Sequence, residues 1–178
     1  MLSVLRIFLI PALLALTGCG FQPLYGNQDQ QANGLSVPVA QSLDEIQIGL
    51  IPDRTGQILH QALEDDLQRD GAPTVELYHL TINNYGIGSQ VIGIQTDSSA
   101  TRLRYIANAN WTLSPISDPR RILTKGNAQA NDAINILDQQ YFALSLQDTQ
   151  VKTTIAREIA EQITAGLAIY FRKHPQAQ

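Results

Sequence analysis

The stretch Arg102-Leu103-Arg104-Tyr105-Ile106-Ala107-Asn108-Ala109-Asn110-Trp111-Thr112-Leu113 decides the fold. Leu103, Tyr105, Ala107, Ala109, Trp111 and Leu113 recur at every second position. Arg102, Arg104, Asn108, Asn110 and Thr112 fill the places between, with Ile106 the one apolar intruder. Successive side chains of a strand point to opposite faces of its sheet. This alternation therefore specifies a long strand with one face on a core and the other face polar.

The segments around it supply the rest of a sheet. Ser114 to Pro119 reads as a turn, and a further strand runs from Arg120 or Arg121 to about Asn131. Ile122, Thr124, Ala128 and Ala130 fall on one of its faces, and Leu123, Lys125, Asn127, Gln129 and Asn131 on the other. Upstream, Thr74 to Ile82 is a strand with Tyr78, Leu80 and Ile82 towards the core. Gly86, Gly88 and Gly93 between Asn84 and Ser99 predict a long, partly extended hairpin. Their Gly-Ile-Gly is no phosphate loop, because no Walker lysine is present and no helix follows. Leu43 to Ile51 predicts a first strand, with Ile46, Ile48 and Leu50 inward and Pro52 as its stop. Consecutive strands joined by turns are expected to be antiparallel, which leaves one sheet face free to be polar.

Two helices can cover the apolar face. Ile58, Leu59, Ala62, Leu63 and Leu67 form a stripe at helical spacing between about Arg54 and Arg69, with Asp53 or Thr55 as cap and Gly71 as stop. Glu64, Asp65 and Asp66 fall on its solvated side. Val151, Ile155, Ile159, Ile163 and Leu167 recur every four residues in a long final helix that continues to Tyr170 and Phe171 and ends near Lys173. Its start is open: Ser145-Leu146-Gln147-Asp148 has the form of a capping box, while Tyr141 to Leu146 could already be helical. The expectation is an α+β two-layer sandwich in the order β-α-β-β-β-α, a four-stranded, mainly antiparallel sheet with two helices on one face.

The N-terminus reads differently. Arg6 precedes an apolar run from Ile7 to Leu16, broken only by Pro11, with the form of a signal-peptide h-region. The run is too short for a spanning helix, which needs about 20 apolar residues. Leu16-Thr17-Gly18-Cys19 follows and resembles the lipobox of bacterial lipoproteins, which implies cleavage after Gly18 and acylation of Cys19. Cys19 is the only cysteine of 178 residues, so no intramolecular disulfide or cysteine metal cluster can form. A multiply acylated cysteine anchors stably where a single chain does not. Gly20, rather than Asp, after the cysteine points by analogy to the outer membrane.

The chain is thus expected to divide into a signal peptide (1–18), a lipidated N-terminus and flexible linker (19–42), a single α+β domain (43–174) and a tail (175–178). The linker assignment rests on the Gln-, Asn-, Gly-, Pro- and Ser-rich composition of Gln22 to Ser42. With 12 Lys and Arg against 16 Asp and Glu, the formal net charge is −4, and loss of Arg6 makes the mature chain more acidic. That balance argues against nucleic acid as a partner.

Thr81, Asn83, Arg102, Arg104, Asn108, Asn110, Lys125, Asn127, Gln129 and Asn131 make up the second sheet face. It reads either as an ordinary solvated face or as a surface that meets a polar, confined partner such as the lumen of a large β-barrel. Amides suit the latter, since they donate and accept at once and bring no unpaired charge to be desolvated. Arginines there have the bidentate geometry for phosphate. An enzyme is not indicated: His60, His79 and His174 form no metal-ligand spacing, no Gly-x-Ser-x-Gly elbow is present, and no metal or cofactor is expected.

The stretch Gly18-Cys19-Gly20-Phe21-Gln22-Pro23-Leu24-Tyr25-Gly26 resembles the start of mature LptE, the lipopolysaccharide-assembly lipoprotein family, in its alphaproteobacterial form. Asp53-Arg54-x-Gly56-Gln57-x-Leu59 and Ala156-Arg157-Glu158-Ile159-Ala160-Glu161-Gln162-Ile163 with Tyr170-Phe171 are similar to that family as well. The resemblance implies a plug-like outer-membrane lipoprotein within the barrel protein LptD, helping to deliver lipopolysaccharide to the outer leaflet. It carries over no fixed ligand set. Arg102, Arg104, Arg120, Arg121 and Lys125, with Asn108, Asn110 and Asn127, are candidate contacts for lipopolysaccharide or the partner on charge and strand face alone. A pilot or accessory lipoprotein of another envelope transport machine would share the anchor and linker, and differ in its partner.

Overall fold

The computed structural model describes residues 37–68, 75–94, 100–136 and 141–175. The expected signal peptide, Cys19, the Gln28–Gly34 linker stretch, Gly71 and residues 176–178 of the tail lie outside the described residues. The elements are α1 (Val37–Asp44), β1 (Ile46–Ile48), α2 (Asp53–Leu67), β2 (Tyr78–Ile94), β3 (Ala100–Pro115), β4 (Thr124–Asn135) and α3 (Tyr141–Lys173). They form an α+β fold on one four-stranded sheet of order β1-β2-β3-β4.

β3 behaves as its alternation dictates. Tyr105, Ala107, Ala109, Trp111 and Leu113 are all buried, while Arg102, Arg104, Ile106, Asn108 and Asn110 are exposed. β2 and β4 flank it antiparallel. β1 runs parallel to β2, because the chain returns between them through α2 and a crossover joins parallel neighbours. The sheet is therefore mixed.

β2 and β3, of 17 and 16 residues, are each about 55 Å long at the usual rise. The 33 residues of α3 make about 50 Å of helix, so α3 can run most of the sheet's length. Its buried stripe is Val151, Ile155, Ile159, Ile163 and Leu167, with Ala156 and Ala160 beside it. Beneath lies a patch of small residues, since Ala107 pairs with Ala130 and Ala109 with Ala128. α2 completes the cover with Leu59, Leu63 and Leu67. Trp111 sits where nothing larger than glycine fits. A Cβ on Gly126 would come within 2.5 Å of the indole and one on Gly166 within 2.8 Å.

Both sheet edges meet a glutamine side chain from a helix. Gln68 Nε2 donates to the Ile46 carbonyl at 3.2 Å. At the β4 edge, the Gln129 N–H donates to Gln162 Oε1 at 3.1 Å and Gln162 Nε2 donates to the Gln129 carbonyl at 2.8 Å. Such bonds use up edge groups that would otherwise template pairing with another chain.

Several boundaries differ from expectation. Val37 to Ser42 is helical rather than linker, with Val39 and Leu43 buried four residues apart. That helix takes Leu43, and β1 keeps only three residues; Leu50 is 91% exposed instead of inward. No side chain caps α2: Pro52 precedes it, and Asp53 is its first residue with φ 71°. Ile58 in its stripe is only half-buried. β4 starts at Thr124 and runs on to bury Ile134, so Ile122 belongs to the connection and is 58% exposed. α3 is helical from Tyr141, which settles its start in favour of the earlier position.

The predicted hairpin is present, and β2 reaches it through a bulge. Asn83 pairs with Asn110 and Gly86 with Asn108, so Asn84 and Tyr85 together oppose Ala109. Asn84 takes φ 54°, a left-handed conformation asparagine tolerates better than most residues. A two-for-one bulge switches which residues face the core. Leu80 and Ile82 point inward before it, and Ile87, opposite Ala107, after it.

Candidate functional site

With α2 and α3 on one face, the opposite face of the sheet is open among the described residues, and strand register turns its polar residues into rows. Asn83, Asn110 and Asn127 lie directly across three strands, and Asn127 Nδ2 donates to Asn110 Oδ1 at 2.9 Å. The next row is Gly86, Asn108 and Gln129, and the next Gly88, Ile106 and Asn131. On the other side of the asparagine row stand Thr81, Thr112 and Lys125. The two glycines leave the β2 side of the middle rows bare, with open space where a Cβ on Gly86 would lie. The exposed amides there can donate and accept, and carry no charge, with the exposed Ile106 the apolar exception.

The structure brings Asn108, Asn110 and Asn127 together, as their alternation predicts, but it divides the cations. Arg104 lies between Gln90 and Ala133, and Arg102 one row further, between Gly93 and Asn135. Lys125 is eight positions away along β3, roughly 26 Å at strand rise. Arg120 and Arg121 are off the sheet in the β3–β4 connection, where their N–H groups bond to Asp118. The five basic candidates form two groups, one at each end of an amide-rich middle.

At the second end lies a surface cavity of about 540 Å³, between the β3–β4 connection and the end of α3. Arg121, Lys173 and His174 bring polar heads to it, and Ile122, Ile169 and Tyr170 bring apolar surface. The His174 ring stacks on Tyr170, 4.5 Å between centroids, and its Nδ1 donates to the Tyr170 carbonyl at 3.0 Å. Sequence reasoning missed Lys173, His174 and Ile169 here. Only the turn between β3 and β4 places them beside Arg121, and periodicity does not report that.

Besides the Gln129–Gln162 pair, a second polar link joins α3 to the sheet. The Tyr105 hydroxyl donates to Asp148 Oδ1 at 2.8 Å, and Lys152 bonds the other carboxylate oxygen at 2.8 Å. Burial, then the bond and charge of Asp148, push Tyr105 up to about 12. Burial alone would raise Asp148, but the bonds from Lys152 and Tyr105 and the lysine charge lower it on balance. Tyr85, at the bulge, is also pushed up to about 12 by burial, and its hydroxyl is enclosed without a partner among the described residues.

The histidines do not converge. His60 lies 3.6 Å from Glu64 on α2, His79 donates from Nδ1 to Gln47 at 3.0 Å across β1 and β2, and His174 ends α3. Among the described residues no three His, Cys, Asp or Glu side chains gather to hold a metal ion. None of the described helices is long and apolar enough to cross a membrane.

Residues 43–167 match the family model described as LptE, lipopolysaccharide-assembly. No curated protein is similar enough in sequence to count as a match. Solved structures reproduce the fold. A lipoprotein from Caulobacter crescentus CB15 aligns at TM-score 0.58 and 24% identity, over 75% of this chain and 96% of its own. A minor lipoprotein from Acinetobacter baumannii gives 0.55 and 15%, over 75% and 93%. Rare lipoprotein B from Shewanella oneidensis gives 0.55 and 7%, over 74% and 97%. At these identities the likeness is one of fold.

Proposed function

The chain belongs to the LptE lipopolysaccharide-assembly family, and from that premise we propose an outer-membrane lipoprotein that works from inside the LptD β-barrel. In this reading residues 1–18 are a signal peptide, and Cys19 carries the acyl chains that hold the protein on the periplasmic side. Residues 20–36 tether the domain, which is the plug. Together the two proteins deliver lipopolysaccharide to the outer leaflet, and the role of this chain is assembly and positioning rather than catalysis.

The observation that carries the reading is the open face of the sheet. Its middle is rich in amides, with Asn108, Asn110 and Asn127 at its centre and Ile106 the one apolar side chain of β3 among them. A barrel lumen is lined by inward-facing polar side chains, and amides can pair with whatever such a wall presents without an unpaired charge to desolvate. Arg102 and Arg104 at one end, and Arg120, Arg121 and Lys125 at the other, are where phosphates of lipopolysaccharide would be met, by charge-assisted bonds.

Affinity purification of the acylated protein from its own outer membrane, followed by mass spectrometry, tests the partner. One large β-barrel at equal stoichiometry, retained through mild detergent and salt, is the expected result. Recovery of a secretin or of an inner-membrane transporter in its place would turn the reading into that of a pilot or accessory subunit.

A further inference from the structure

The end of the domain at which β4 begins and α3 finishes has a composition that a barrel lumen does not explain. Ile122 and Ile169 line its cavity beside Arg121 and Lys173, and they are 58% and 43% exposed. Leu77 and Ile116 extend the aliphatic surface at the same end, joined by a bond from the Ile116 N–H to the Leu77 carbonyl at 2.9 Å, and both are exposed. Arg120 and Arg172 are exposed on either side of the cavity residues in the chain. Cations at the end of α3 suit its negative dipole end, but that does not account for Arg121, which sits on the β3–β4 connection. Of the acidic groups at this end, Glu45 accepts from Gln41 at 3.3 Å and Glu76 from Gln47 at 2.7 Å, while Asp118 shares the β3–β4 connection with Arg121 and accepts the Arg120 N–H at 3.3 Å.

Aliphatic side chains interleaved with Lys and Arg are the make-up of a surface that lies in a bilayer interface. There the apolar groups enter the acyl boundary and the cations meet anionic headgroups. We propose that this end is a membrane-docking surface, seated on a leaflet that contains anionic phospholipid. Ile122 and Ile169 enter the interface, and Arg121 and Lys173 hold lipid phosphates. The inference rests on the anchored-lipoprotein reading. The described chain joins the sheet at Ile46, opposite Tyr78 and so at this same end. The chain that leads back to Cys19 therefore leaves the sheet from this end, and Arg102 and Arg104 stand at the opposite end of β3.

The test uses the full-length acylated protein in vesicles of phosphatidylcholine, with or without phosphatidylglycerol. Cys19 is the only native cysteine and is consumed by acylation, so Ile122→Cys, Ile169→Cys and, as a control, Asn108→Cys each accept one nitroxide. The readout is the ratio of collisions with oxygen to collisions with a water-soluble nickel chelate. Expected is a several-fold rise at 122 and 169 when phosphatidylglycerol is present, no change at 108, and loss of the rise in an Arg121→Glu, Lys173→Glu background. Labels at 122 and 169 that stay as aqueous as the one at 108, on protein that floats with the vesicles, overturn the docking surface and leave the anchor standing. Protein that does not float overturns the anchor and the docking surface with it. A rise that is as large in phosphatidylcholine alone, or that survives both charge reversals, overturns the assignment to anionic lipid.

Discussion

The two faces of β3 share one backbone and differ in what the rest of the molecule asks of them. Tyr105, Ala107, Ala109, Trp111 and Leu113 are no more than 6% exposed and sit against helices whose own positions they fix. Asn108 and Asn110, between them in the chain, touch solvent and their cross-strand neighbours. The inward set is constrained by shape, because close-packed interiors register the loss or gain of a single methylene. The outward set is under no such constraint. Its amide-rich centre is therefore more informative about a partner than any property of the core, whose residues would look much the same in any protein of this fold.

Breaking the inward face should have the largest effect. Trp111→Ala empties the slot between Gly126 and Gly166 and is expected to cost about 3–5 kcal/mol, read by urea denaturation. Next come the glycines that make room. Gly126→Ala puts a methyl group into the indole and should cost about 1–3 kcal/mol as overpacking. Gly56→Ala should do the same, since its Cβ would lie 2.7 Å from the Ile51 carbonyl oxygen. That contact gives a physical reason for glycine in Asp53-Arg54-x-Gly56.

Tyr105→Phe keeps the ring and removes only the bond to Asp148, so about 1 kcal/mol is expected near neutral pH. Its pH dependence has a defined sign. Asp148 is lowered in the folded state, so its contribution is present above the ordinary carboxylate value near 4 and fades as pH falls through the folded value. Tyr105 is raised to about 12, so its contribution is present below the ordinary tyrosine value of about 10 and is lost between there and 12. The gap between wild type and Tyr105→Phe should accordingly be widest between these windows and close at both ends. A gap that is flat across pH would remove the pair from the account.

The smallest stability effects belong to the open face. Arg102→Glu with Arg104→Glu should stay within ~0.5 kcal/mol of wild type while weakening lipopolysaccharide binding several-fold, measured on the purified protein. Binding unchanged in that variant would take both arginines off the list of contacts. A large loss of stability would mean that the face does more for the fold than its exposure suggests.

How much of this the sequence disclosed depends on whether a residue's fate is set by its neighbours in the chain or by its register in space. β3 was legible residue by residue, because nothing interrupts its alternation. The continuation of β2 into the hairpin was visible only through its glycines, because the Asn84–Tyr85 bulge moves the inward positions from even to odd numbers and erases the period. A strand from Leu43 to Ile51 overdraws β1: the alternation of Ile46, Ile48 and Leu50 conceals a helix end before it and an exposed loop after it. α1 was missed because an eight-residue helix among Gln and Ser residues differs little in composition from a linker. Of the candidate site, the amide face followed from alternation alone. The separation of Arg102 and Arg104 from Arg120, Arg121 and Lys125 did not, since it is set by how far each strand runs before it turns.

The central claim is that the open sheet face, and not the helical layer, meets the barrel. Photo-crosslinking in the native outer membrane tests it most directly, with the reactive side chain at Asn108, Asn110 or Asn127 and, for comparison, at exposed Glu158 on α3. Adducts are expected between the first three positions and a single large β-barrel protein, with little or none from Glu158. Adducts from Glu158 at equal or greater yield, or none from the sheet face, would contradict it.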